Sequence, residues 1–76
     1  MQKFDMVIAS FRQVQAFVAL AMEQKFEIFA GNDHQSINGK DIVGMSSLDY
    51  SRPITVLADC SQEEFDRFRT AAARLF

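Results

Sequence analysis

Polar and apolar positions along the chain change their period several times, and each change predicts an element boundary. Phe4, Met6 and Ile8 recur at every second position, the spacing of a strand with one buried face. From Phe11 the period becomes helical. Phe11, Val14, Phe17, Val18, Ala21 and Met22 fall on one face, with Arg12, Ala16, Ala19 and Glu23 opposite. Ser10 stands where an N-cap would accept a bond from a first-turn amide.

Lys25 to Ala30 returns to alternation, with Phe26 and Ile28 on one face and Glu27 and Phe29 on the other. Gly31-Asn32-Asp33 is turn chemistry, because Gly and Asn tolerate positive φ, and a short strand runs back to Asn38. Residues 26–38 therefore predict a hairpin. Asp41 begins a short helix over Ile42 to Leu48 that holds one glycine, two serines and more apolar side chains than so short a helix can bury. Asp49 to Pro53 is a loop, and Pro53 falls where a strand begins and no interior ladder bond is lost. Ile54 to Ala58 is a β-branched run with the look of a strand buried on both faces or nearly so. Ser61 and Glu64 form a capping box. Phe65, Phe68, Ala72 and Leu75 then mark a buried stripe, with Arg67, Arg69 and Arg74 outside.

The predicted order is β-α-β-β-α-β-α. It points to an α+β open-faced β-sandwich, a four-stranded antiparallel sheet with its helices on one face. Seventy-six residues suit a single domain, 1–76, with no second core. A hydrophobic content of 49% with eight phenylalanines argues for a packed interior and against disorder.

Charge and chemistry remove several function classes. The net charge is −2 and the cations are dispersed, so no nucleic-acid partner is expected. Phe17 to Ala21 is too short and too interrupted upstream for a signal peptide, and no run reaches the ~18 apolar residues of a membrane span. A lone Cys60 excludes an intrachain disulfide and a cysteine-based zinc site, and suits a reducing, cytoplasmic setting. No paired carboxylates, Cys–His couple, metal cluster or Gly-rich phosphate loop stands at usable spacing. The expectation is no enzyme, no metal and no cofactor.

The segment Ile37-Asn38-Gly39-Lys40-Asp41-Ile42-Val43-Gly44-Met45-Ser46-Ser47-Leu48 resembles a signature of the HPr family, the small phosphocarrier proteins of the bacterial sugar phosphotransferase system. That signature is an apolar residue, Asn, Leu, Lys and Ser, followed by Ile-Met-Gly-Val-Met-Ser-Leu. The strand at Ile54 and the final capped helix follow at nearly the family's spacing. The resemblance spans the chain, but residues 36–60 carry it specifically. It implies the HPr-like fold already described and a phosphotransferase-system protein.

Departures from the pattern shape the functional expectation. In the family a His opens the first helix, followed two residues on by an Arg and then a Pro, and its imidazole accepts a phosphoryl group. Here the stretch is Ser10-Phe11-Arg12-Gln13-Val14-Gln15, so the acceptor position holds Arg12 or Gln13, depending on where the gap falls. The only histidine is His34, in the hairpin. The resemblance also places Asp41 where many members carry a regulatory Ser. Aspartate there is a good N-cap, worth about 0.5–2 kcal/mol, and supplies a permanent negative charge like that of phosphoserine.

Arg12, Lys40, Asp41, Ile42, Val43 and Met45 correspond to the family's partner-binding surface, an apolar patch rimmed by charge. The implied function is a non-phosphorylatable protein-binding or regulatory paralogue. Its partners would be phosphotransferase-system proteins or a catabolite regulator. Two alternatives stand beside it: a phosphocarrier using Ser10 or His34, and a small ligand-binding regulatory domain of ferredoxin-like topology.

Overall fold

The computed structural model describes residues 1–75. Its elements are β1 (Gln2–Met6), α1 (Phe11–Met22), β2 (Ile28–Gly31), β3 (Ser36–Asn38), α2 (Ile42–Ser46), β4 (Ile54–Ala58) and α3 (Gln62–Ala73). The four strands form one antiparallel sheet in the order β1-β4-β2-β3. β1 is thus an edge strand. A ferredoxin-like sheet would place its first strand inside, so that alternative does not survive.

Register explains which residues form the core. Phe4, Val56, Ala30 and Ile37 lie in one row across the sheet. Val56 and Ala30 are buried and the two edge members half-buried. The neighbouring row, Asp5, Thr55, Gly31 and Ser36, belongs to the opposite, open face. One face of the sheet therefore carries the helices and the other is open. On the open face Thr55 and Leu57 are only half-buried, so β4 is covered fully on one side rather than both.

The helical layer is pinned by aromatic contacts. Phe68 of α3 meets Phe4 of β1 at 6.1 Å, Phe17 of α1 at 6.0 Å and Phe26 at 5.9 Å, all edge-to-face. The α3 capping box forms as expected: Ser61 Oγ accepts from Glu64 N at 3.2 Å, and Ser61 N donates to Glu64 Oε1 at 3.0 Å. Phe17, Phe68, Ile28, Met45, Ile54 and Val56 fill the space between sheet and helices, each essentially without exposed surface.

Two local expectations are corrected. The stripe of α1 buries Val14, Phe17, Val18 and Ala21, while Phe11 and Met22 at its ends are exposed. The hairpin turn uses no positive φ at all. Asn32 Oδ1 accepts from His34 N at 2.8 Å and from Gln35 N at 3.0 Å, so a side chain closes the turn. Gly31 is the last residue of β2, where a Cβ would lie 1.9 Å from the Gln35 carbonyl oxygen. Close approach of the returning backbone, not turn conformation, requires glycine there.

Candidate functional site

Local bonding fixes where α1 starts. Ser10 has extended backbone, φ −152° and ψ 159°, and its Oγ accepts from Gln13 N at 3.2 Å. Gln13 Oε1 in turn accepts from Ala9 N at 2.7 Å. This reciprocal pair ties the end of the preceding loop to the first helical turn. The residue that opens the helix is therefore Ser10. Arg12 and Gln13, expected at the acceptor position, lie inside the first turn, where Gln13 is half-buried and occupied by the cap. Phe11, the first helical residue, is 56% exposed.

α2 turns Met45 into the core, and Leu48, just past the end of the helix, follows it. Met45 is fully buried and Leu48 nearly so, three positions apart, the spacing of one helical face. Ile42 and Val43, 39% and 77% exposed, are left outside. Asp41 caps the helix, its Oδ1 accepting from Val43 N at 3.1 Å. Gly44 explains the glycine in so short a helix. A Cβ there would stand 2.6 Å from Ile37 Cγ2 and 2.9 Å from Asp41 Oδ2. The glycine lets α2 lie against β3 while its aspartate keeps the capping position.

α1 and α2 run alongside one another in opposite senses. Lys40, just before α2, donates from Nζ to the Gln24 carbonyl oxygen at 2.8 Å, beyond the C-terminal end of α1. At the other end, Ser46 and Tyr50 line a cleft of ≈ 350 Å³ with Ile8, Ala9, Ser10, Phe11 and Val14. The Tyr50 hydroxyl donates to the Met45 carbonyl oxygen, and burial raises the pKa of its phenol.

These positions revise the expected docking surface. Met45 is a core residue and offers nothing to a partner. Arg12 lies in the first turn of α1 and Lys40 beyond its last, about 18 Å apart along the axis for twelve residues, so they stand at opposite ends of the α1–α2 surface. What the fold leaves at the surface is Phe11 with Arg12 at one end, and Ile42 and Val43 with Asp41 on α2. Phe11 was hidden by the periodicity, which assigned it to the core stripe. Its place directly after an N-cap was the available sign that it stands beyond the sheet's cover.

His34 is exposed in the β2–β3 turn, beside a polar cleft of ≈ 440 Å³ lined by Asn32, Asp33, Asp49, Arg52 and Thr55 among others. Among the described residues no imidazole, carboxylate or cation lines the cleft at the start of α1. Among the same residues no group of three or more His, Cys, Asp or Glu side chains could hold a metal ion, and no helix is long and apolar enough to cross a membrane.

Comparison of the sequence with protein-family models and with curated proteins finds no match. Comparison of the fold does. HPr-C-His from Thermoanaerobacter tengcongensis superposes with a TM-score of 0.77 at 24% identity, over 99% of this chain and 90% of that one. The phosphocarrier protein HPr of Bacillus anthracis gives 0.72 at 23%, over 95% and 93%. Crh, the catabolite repression containing protein of Bacillus subtilis, described as a swapped, intertwined dimer, gives 0.65 at 22%, over 99% and 94%. The chain has the HPr fold. The edge position of β1 and the helices gathered on one face of the sheet are part of the fold that superposes.

Proposed function

We propose that this chain is a phosphotransferase-related binding protein that keeps the docking helices of an HPr fold and does not carry phosphate on histidine. The observation that supports it is the start of α1. The resemblance to HPr pairs a helix-opening His with an Arg two residues on, and here Ser10 opens the helix with Arg12 two residues on. On that alignment Ser10, rather than Arg12 or Gln13, stands at the acceptor position, and Gln13 takes the place of the Pro. A serine hydroxyl forms a phosphate ester, not the labile phosphoramidate that rapid onward transfer requires, so a carrier role through Ser10 is disfavoured.

The partners that fit are proteins of the phosphotransferase system or a catabolite regulator, a class consistent with the likeness to HPr and Crh. Phe11, Ile42 and Val43 supply the apolar contacts, Arg12 and Asp41 the charged ones. Asp41 has a second role in this reading. Its carboxylate holds a negative charge at the head of α2, as a phosphorylated serine would.

Calorimetric titration of the purified chain against the general phosphotransferase enzyme and against a catabolite-control regulator tests the proposal. Binding to at least one, weakened at least about tenfold by Val43→Asp or Phe11→Asp, is the expected result. Binding that survives both substitutions removes this surface from the account. For Asp41, equal affinity of the native chain, Asp41→Asn and Asp41→Ala would leave the residue an N-cap only.

A further inference from the structure

The outer edge of β1 carries a pattern that the proposed function does not use. β1 pairs only with β4, and no described strand covers its other side. Unprotected edges usually carry a charge that blocks pairing with another chain. Here the charges are arranged symmetrically. Lys3 and Asp5 flank Phe4 on the open face, and Met1 and Val7 follow one residue beyond each end of the strand.

We infer that β1 is a self-complementary edge through which two copies of this chain pair antiparallel about Phe4, joining their sheets into one. With Phe4 on the two-fold axis, each Lys3 lies opposite the other copy's Asp5, twice per dimer. Met1 lies opposite Val7, and these are among the most exposed large apolar side chains, at 70% and 61%. All of these positions are odd-numbered and share the open face by the strand's alternation, so the two sheets continue with their helices on the same side.

The neighbouring registers fail on charge. Centring the axis on Lys3 sets lysine against lysine, and centring it on Asp5 sets aspartate against aspartate. The pattern therefore favours the Phe4-centred register over its two same-face neighbours. Pairing one edge with its own copy also closes the assembly at two chains.

The charged pair is available in the isolated chain. Asp5 Oδ1 accepts from Thr55 Oγ1 at 2.8 Å, which holds the carboxylate on the open face with its second oxygen free. Neither Lys3 nor Asp5 takes part in the one described ion pair, Arg67–Glu63. Beside the edge, Phe4, Asp5, Met6, Arg69, Ala72 and Ala73 line a cleft of ≈ 140 Å³ that pairing of the two edges would cover.

Sedimentation of the full chain, followed from about 10 µM to about 1 mM, suits an interface of this small size. A monomer–dimer equilibrium is expected. Lys3→Asp and Asp5→Lys each place like charges across both pairs and raise the dimer dissociation constant about tenfold. Mixing those two variants restores a one-to-one dimer, because each aspartate on the edge of one variant then faces a lysine of the other. In the native chain, amide chemical shifts that depend on concentration are confined to the first seven residues and their β4 neighbours, a readout that needs no variant to fold. A native chain that stays monomeric at the top of that concentration range overturns the inference. So does a dimer indifferent to the two reversals and their mixture, or concentration-dependent shifts centred elsewhere.

Discussion

Gly44→Ala tests the packing of α2, because in most helices the change would stabilise. Exchanging glycine for alanine in an exposed helix interior gains about 1 kcal/mol. Here the new methyl would stand 2.6 Å from Ile37 Cγ2 and 2.9 Å from Asp41 Oδ2. Overpacking of this kind costs about 1–3 kcal/mol. Turning the Asp41 side chain aside adds about 0.5–2 kcal/mol for the lost cap. The net is a destabilisation of about 2 kcal/mol, a large part of the ~4–11 kcal/mol available to a chain of this size. Thermal unfolding should fall by about 8–16 °C. Urea denaturation of the native chain, Gly44→Ala, Asp41→Ala and the double variant gives the coupling directly. Once Asp41 is already alanine, the second substitution should cost less than it does alone. If Gly44→Ala unfolds at or above the native temperature, close approach of α2 to β3 is not what the glycine serves.

Phe68→Ala removes the ring at the centre of the aromatic contacts, at about 3–5 kcal/mol. Calorimetry should show a chain that is largely unfolded or has lost most of its transition temperature, and a small shift would refute the central role of Phe68. Glu64 titrates below its ordinary 4.5, chiefly because it accepts from the Ser61 backbone amide and then through the Ser61 hydroxyl. A carboxylate depressed in the folded state stabilises above its unfolded pKa and loses that contribution as pH falls through the folded value. Glu64→Gln keeps a capping partner without a titrating group, so its urea midpoint should change less between pH 5 and pH 3 than the native midpoint. Equal pH slopes would contradict this. Lys40→Met removes the bond from Nζ to Gln24 and should cost about 0.5–1.5 kcal/mol, measured by the same denaturation.

The parts of the fold written in local chemistry were legible in the sequence. Ser10, Asp41 and Ser61 each cap the helix that follows, as their side chains and spacing predicted. The alternation of Phe4, Met6 and Ile8 correctly chose the buried face of the first strand. Long-range and close-approach features were not legible. Periodicity cannot say where a helix outruns the sheet beneath it, so Phe11 and Met22 were assigned to the core and lie at the surface. In a five-residue helix the phase is undetermined, and Met45 faced inward while Val43 faced out. Gly31 read as turn chemistry because the contact that requires it, with the Gln35 carbonyl, forms only after the hairpin closes. Sheet order depends on pairings between strands distant in sequence, such as Phe4 with Val56, which no local pattern records.

The reading of α1 rests on a helix opened by Ser10 in a cleft without an imidazole. Its most direct test is the intact mass of the full chain after incubation with phosphoenolpyruvate, Mg²⁺ and the general phosphotransferase enzyme, with an authentic HPr in the same tube as the internal control. The account predicts an unchanged mass for this chain while the control gains one phosphoryl group. An acid-labile gain of one phosphoryl group on this chain would contradict it.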